Sequence, residues 1–72
     1  MTASGTTPEA GYTIAVDTSV IPMGTEVKIE GQSGTFCALD TGVSGNTIDL
    51  FMSSHSAALE WGIRYREVWV QD

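Results

Sequence analysis

Three aspartates stand in or beside apolar runs: Asp17 closes YTIAVD, Asp40 closes TFCALD, and Asp49 lies within TIDLFM. A carboxylate in an apolar run costs desolvation free energy unless it is paired or used. If these runs are neighbouring strands, three carboxylates gather at one rim. Like charges held close cannot all ionise easily, so at least one then keeps its proton to higher pH. A carboxylic acid that stays protonated near neutrality can act as a general acid. Cleavage of a glycosidic bond needs such a group, to protonate the leaving oxygen while oxocarbenium character develops. The competing reading is structural: the aspartates of DTS and DTG cap turns by accepting backbone N–H bonds. That reading suits Asp17 and Asp40. Asp49, in mid-strand with no adjacent turn, favours the chemical one.

Other reactive residues are few. Cys37 is the only cysteine, so an internal disulfide and a multi-cysteine metal site are both excluded. Between Phe36 and Ala38 it reads as a small buried hydrophobe. As a nucleophile it would need His55, the only histidine, which sits among serines at a helix start. One Cys and one His at this spacing do not suggest zinc either.

The elements that must position the aspartates are mostly strands. YTIAVD (12–17) is β-branched and apolar. TEVKIEG (25–31) alternates, with Val27 and Ile29 on one face and Glu26, Lys28 and Glu30 on the other. TFCALD (35–40) and TIDLFM (47–52) follow, separated by the loop TGVSGN. REVWVQ (66–71) alternates again, placing Trp69 with Glu67 and Gln71 on a polar face. One helix is expected over 54–61, capped by Ser53 or Ser54 and stopped by Gly62. Eight glycines and two prolines fit short strands joined by tight turns. The reading is a mainly β fold, a small β-barrel or compact α+β unit, forming a single domain over 1–72.

The chain has 72 residues, 42% of them apolar, near the lower limit for one hydrophobic core. Its formal net charge of −6 repels phosphate backbones and anionic membrane surfaces, which speaks against nucleic acid as a partner. A neutral or zwitterionic polymer such as a glycan is not repelled. No segment has the length of apolar sequence that membrane insertion requires. Residues 1–12 lack the basic start and apolar stretch of a signal peptide. The expected origin is therefore a cytoplasmic or phage-type product, or a piece of a longer secreted protein that works outside the cell or in the cell wall.

Taken together, IAVDTSVIPMGTEVKIEG, ALDTG, GNTIDLF and AALEWGIRYREVWV resemble the three-aspartate (3D) domain, in that order and from about Thr2 to Val70. That family includes the catalytic barrel of membrane-bound lytic transglycosylase A and small stationary-phase survival proteins. The resemblance implies a six-stranded double-psi β-barrel. It implies non-hydrolytic cleavage of peptidoglycan between N-acetylmuramic acid and N-acetylglucosamine, leaving a 1,6-anhydro sugar. Asp49 would be acid toward the leaving oxygen and then base toward the muramyl C6 hydroxyl. Asp40 would favour its protonated form or orient the sugar, and Asp17 would support the site from a neighbouring strand. Thr6, Thr7, Thr41, Gly42, Gly45 and Asn46 are the expected substrate contacts. No metal or organic cofactor is implied.

Trp61 and Trp69 are candidate sugar-stacking platforms, Trp69 being the better exposed and Trp61 better suited to a core. The alternative function is a non-catalytic glycan-binding or assembly module on the same barrel, since one fold hosts many functions. Two departures from the family pattern matter. The loop GVSGN is shorter than its counterpart and lacks a lysine. The family's first strand has no equivalent before MTASGTTPEAG, so the barrel would lack or replace it. An unpaired edge of that kind points to a homodimer, with strands exchanged between subunits, or to a barrel closed another way.

Overall fold

In the computed structural model, residues 1–54, 62 and 65–71 are described. Five strands lie among them: β1 (Thr13–Ala15), β2 (Glu26–Ile29), β3 (Phe36–Asp40), β4 (Asp49–Leu50) and β5 (Val68–Gln71). All five sequence-predicted strands are present, β1, β2 and β4 trimmed at both ends and β3 and β5 at the start alone. They form one mixed sheet in the order β4-β1-β3-β2-β5, in which β1 and β3 are parallel and the other pairs antiparallel.

Alternation along each strand decides which face is covered. Ile14, Val16, Val27, Ile29, Phe36 and Ala38 turn to one side and, with Ile21, form the core. Ile48, Leu50 and Val68 pack partly buried against it. Leu50 and Val68 belong to strands at opposite ends of the sheet, yet both line one cavity with Ile29, so the core face curls inward. The opposite, outer face carries Ala15, Asp40, Asp49, Cys37, Glu26 and Lys28 by the same register.

The mainly β class stands, but the closed six-stranded ladder does not form among the described residues. β4 and β5 are edges that approach across the cavity without backbone pairing. β4 offers two paired residues, too short a ladder to bridge the gap. The helix expected over 54–61 falls, apart from Ser54, outside the described residues, as do His55 and Trp61. Among the described residues no helix is long and apolar enough to cross a membrane.

The polar lead-in folds back on its own chain. The Ser4 N–H donates to the Leu39 carbonyl (3.1 Å), and the Ala3 N–H donates to Asp40 Oδ1 (2.8 Å). Thr2 is buried, and its hydroxyl ties this turn together through Ser4 Oγ (3.0 Å) and Thr6 Oγ1 (2.7 Å). The register of β1 and β3 shifts between Ile14 and Ala15, so Leu39 bulges out of the ladder and its carbonyl is open to Ser4.

Candidate functional site

The bulge sets the geometry of the carboxylates. By skipping Leu39 it places Asp40 opposite Ala15, while β4 places Asp49 opposite the same Ala15 from the other side. Opposed residues share a face of the sheet. Asp40 and Asp49 therefore flank Ala15, their Cα atoms two strand spacings or about 10 Å apart. The small alanine side chain leaves the space between them open. Both carboxylates, with Pro8, Thr13, Ala15 and Phe51, line one shallow depression of about 470 Å³.

The two are held differently. Asp40 accepts the N–H groups of Ala3 (2.8 Å) and Thr41 (2.9 Å). These bonds to the charged form, Ala3 first, hold its carboxyl below the usual carboxylate range. Asp49 is exposed and begins its strand rather than lying within it. Its carboxylate accepts no hydrogen bond among the described residues.

Asp17 is not with them. It lines a separate cavity with Val16, Gly45, Asn46 and Ile48. Its Oδ1 accepts the Ser19 hydroxyl (2.6 Å) and the Ser19 N–H (2.9 Å), closing the DTS turn as the structural reading expects. Its Oδ2 accepts the Gly45 N–H (2.8 Å) from the loop after β3. The Ser19 hydroxyl, followed by the two N–H donors, holds the Asp17 carboxyl low. Three aspartates at one rim thus become a pair in one depression and a third that clamps a loop.

The expected substrate contacts divide in the same way. Thr41 follows Asp40 and supplies one of its donors. Thr6 belongs to the hydroxyl cluster of the lead-in, and Thr7 is exposed next to Pro8 on the depression's wall. Gly42, at φ +117°, lets the chain turn away from β3. Gly45 and Asn46 lie on the Asp17 side. Sequence reasoning missed Ala3 and Ala15. A backbone donor carries no side-chain signal, and Ala15 gains its place only through a bulge.

Cys37 is buried, and the proximity of its thiol raises the Tyr12 phenol above its usual range. Its suggested partner His55 lies outside the described residues. Among the described residues no three His, Cys, Asp or Glu side chains gather as a metal-holding group.

Known proteins are similar to this chain in sequence. The chain is 49% identical over 53 residues to the cell wall-binding protein YocH of Bacillus subtilis strain 168, a match covering 71% of this chain and 18% of that protein. It is also 49% identical over 51 residues to the putative cell wall shaping protein YabE of the same strain, covering 68% of this chain and 12% of that protein. The chain therefore spans less than a fifth of the length of the curated relatives it matches. No solved structure matches it. The model of the 3D domain matches residues 12–72, a span that contains all three aspartates and every strand, and the chain belongs to that family.

Proposed function

We propose that this domain is a lytic transglycosylase acting on the glycan strands of peptidoglycan, with Asp49 as its acid and base. Membership of the 3D domain family, with relatives named for binding and shaping the cell wall, supports a peptidoglycan-related role at the cell wall or outside the cell. The observation that carries the finer reading is the unequal pair around Ala15. One carboxylate, Asp40, is held ionised by two N–H donors. The other, Asp49, is exposed to the same depression and has its oxygens open to a substrate.

In this reaction the Asp49 carboxyl gives its proton to the oxygen linking N-acetylmuramic acid to N-acetylglucosamine. The anomeric C–O bond breaks and positive charge develops on the muramyl ring. Asp40 stabilises that charge from the far side of Ala15. Asp49, now ionised, takes the proton of the muramyl C6 hydroxyl as its oxygen bonds to the anomeric carbon. No water is consumed, no metal or cofactor takes part, and a 1,6-anhydro sugar is left.

A second reading, a glycan-binding module without catalysis, is favoured by the name of one relative, a cell wall-binding protein. One experiment separates the two. Purified peptidoglycan is incubated with the domain and its fragments are weighed by mass spectrometry. The transglycosylase releases 1,6-anhydromuropeptides, and Asp49→Asn does not. Retention of the wild-type domain on the polymer with no anhydro product would overturn catalysis in favour of binding.

A further inference from the structure

The outer face of the sheet has a second open area that the carboxylate chemistry does not use. The β2–β5 register puts Trp69 opposite Lys28 and Gln71 opposite Glu26. Val27 and Ile29, the alternate residues of β2, are buried in the core, so these four side chains point away from it. Cys37, opposite both Thr13 and Glu26, continues the same face toward Ala15 and its two carboxylates. The middle of the face is covered. The Glu9 N–H donates to Thr13 Oγ1 (2.9 Å), and Thr13 and Cys37 are both buried. Trp69 stands half exposed at the β5 end, with 52% of its surface open.

Isolated exposed apolar residues are ordinary, so the neighbours of Trp69 decide what this area can bind. A lipid surface would need several apolar side chains here, and only one of the four is apolar. A polyanion would meet a chain of net charge −6. A pyranose suits all four. Its C–H face is apolar and can lie on the indole, while its hydroxyl and acetamido rim needs donors and acceptors. Lys28 donates, Glu26 accepts, and the Gln71 amide does both.

We propose that Trp69, with Lys28 and Gln71, is a stacking platform for one sugar of a β-1,4-linked N-acetylhexosamine strand, separate from the carboxylate depression. The identity of the polymer rests on the transglycosylase reading above, whereas the stacking itself does not. Measured around the outer face of the curled sheet, β5 lies two strand spacings from the Asp40 strand and four from the Asp49 strand, about 10 and 19 Å, so a glycan must run over several sugars to touch Trp69 and both carboxylates. The platform would hold the strand that the carboxylates address.

The test is retention on insoluble peptidoglycan and on chitin, measured in an Asp49→Asn background so that cleavage plays no part. Trp69→Ala should weaken retention roughly ten-fold, and Trp69→Phe should restore part of it. Loss on peptidoglycan alone assigns the site to that polymer, and loss on both assigns it to the shared sugar chemistry. A titration checks the same contact without disturbing it. In Trp61→Phe, where Trp69 is the only indole, soluble N-acetylglucosamine oligomers should shift and saturate the fluorescence. Unchanged retention by Trp69→Ala, or an unresponsive indole, overturns the proposal. So does a Trp69→Ala variant that turns a dimer into a monomer in sedimentation while still holding glycan, because a second copy would then be the occupant. Absence of anhydro product would remove the catalytic reading and leave this one standing.

Discussion

At the residue scale, two carboxylates of one type are set apart by their donors. The Ala3 and Thr41 N–H groups stabilise charge on Asp40, and Asp49 receives nothing comparable among the described residues. Asp49→Asn keeps the size of the side chain and removes the transferable proton, so the rate of anhydro-product formation should fall roughly 10²–10⁴-fold. The melting temperature should hardly change, because the side chain is exposed. A folded variant with near-normal turnover would remove Asp49 from its role. Asp40→Asn tests the other half of the pair. Its amide oxygen can still accept from Ala3 and Thr41, so the lead-in stays anchored while the charge is lost. The rate should fall on the order of a hundred-fold, as for other fixed groups facing transition-state charge. Asp40→Ala would lose the anchor as well, and comparing the two separates charge from architecture. The DTS turn was legible in the sequence, because it depends on near neighbours, whereas the mid-strand position expected for Asp49 was not met: pairing with β1 makes it the first residue of β4. That Asp17 would clamp Gly45 instead of joining the pair was not legible, since that bond spans a loop whose path local sequence does not determine.

At the element scale, apolar β-branched runs bounded by turns identified β1, β3 and β4, and period-two alternation identified β2 and β5 and the buried side of β2. Their extents were over-read where polar loops take over, most of all in β4, which keeps only Asp49 and Leu50 of TIDLFM. The β-bulge at Leu39 was invisible. Nothing in TFCALD distinguishes a regular strand from one that skips a residue, and yet the skip brings Asp40 level with Asp49. The loop after β3 depends on Gly45, which holds φ +67° while its N–H donates to Asp17. A Cβ built there meets nothing within 4 Å, so the cost of Gly45→Ala is backbone strain and not a clash. About 1–2 kcal/mol of stability should be lost, the usual penalty for a left-handed L-residue. A denaturation midpoint equal to wild type would mean that the loop finds another path. Ile14 is fully buried between β3 and β4. Ile14→Ala should cost about 2–5 kcal/mol through lost burial and the cavity left behind. A domain this small has little more than that in total, so the variant should be largely unfolded at 37 °C by circular dichroism.

At the scale of the whole molecule, the core is small and the segments over the carboxylate sites are fastened by charge. Asp40 holds the lead-in to β3, and Asp17 holds the loop after β3 to the turn after β1. Both carboxyls lie below their usual range in the fold, through the donors that face them. A group whose folded pKa is depressed stabilises the fold above its unfolded value, about 3.9 for aspartate, and loses that contribution as pH falls through the folded value. A second effect opposes this one at milder pH. The net charge of −6 at pH 7 shrinks toward zero near the pI of about 4.3, relieving self-repulsion. Thermal stability should therefore rise slightly from pH 7 toward pH 5 and then fall steeply below pH 4. The steep limb should belong largely to the two clamps. In Asp17→Asn/Asp40→Asn the amide oxygens can still accept the N–H bonds, but no proton is taken up at either site. That double variant should start lower at pH 7, having lost the charge-assisted part of each bond. It should then decline less between pH 4 and pH 2 than the wild type. Melting temperatures measured across that range decide the matter: parallel acid limbs would show that other carboxylates control acid unfolding, while converging limbs would locate it at the two aspartates that fasten the loops to the sheet.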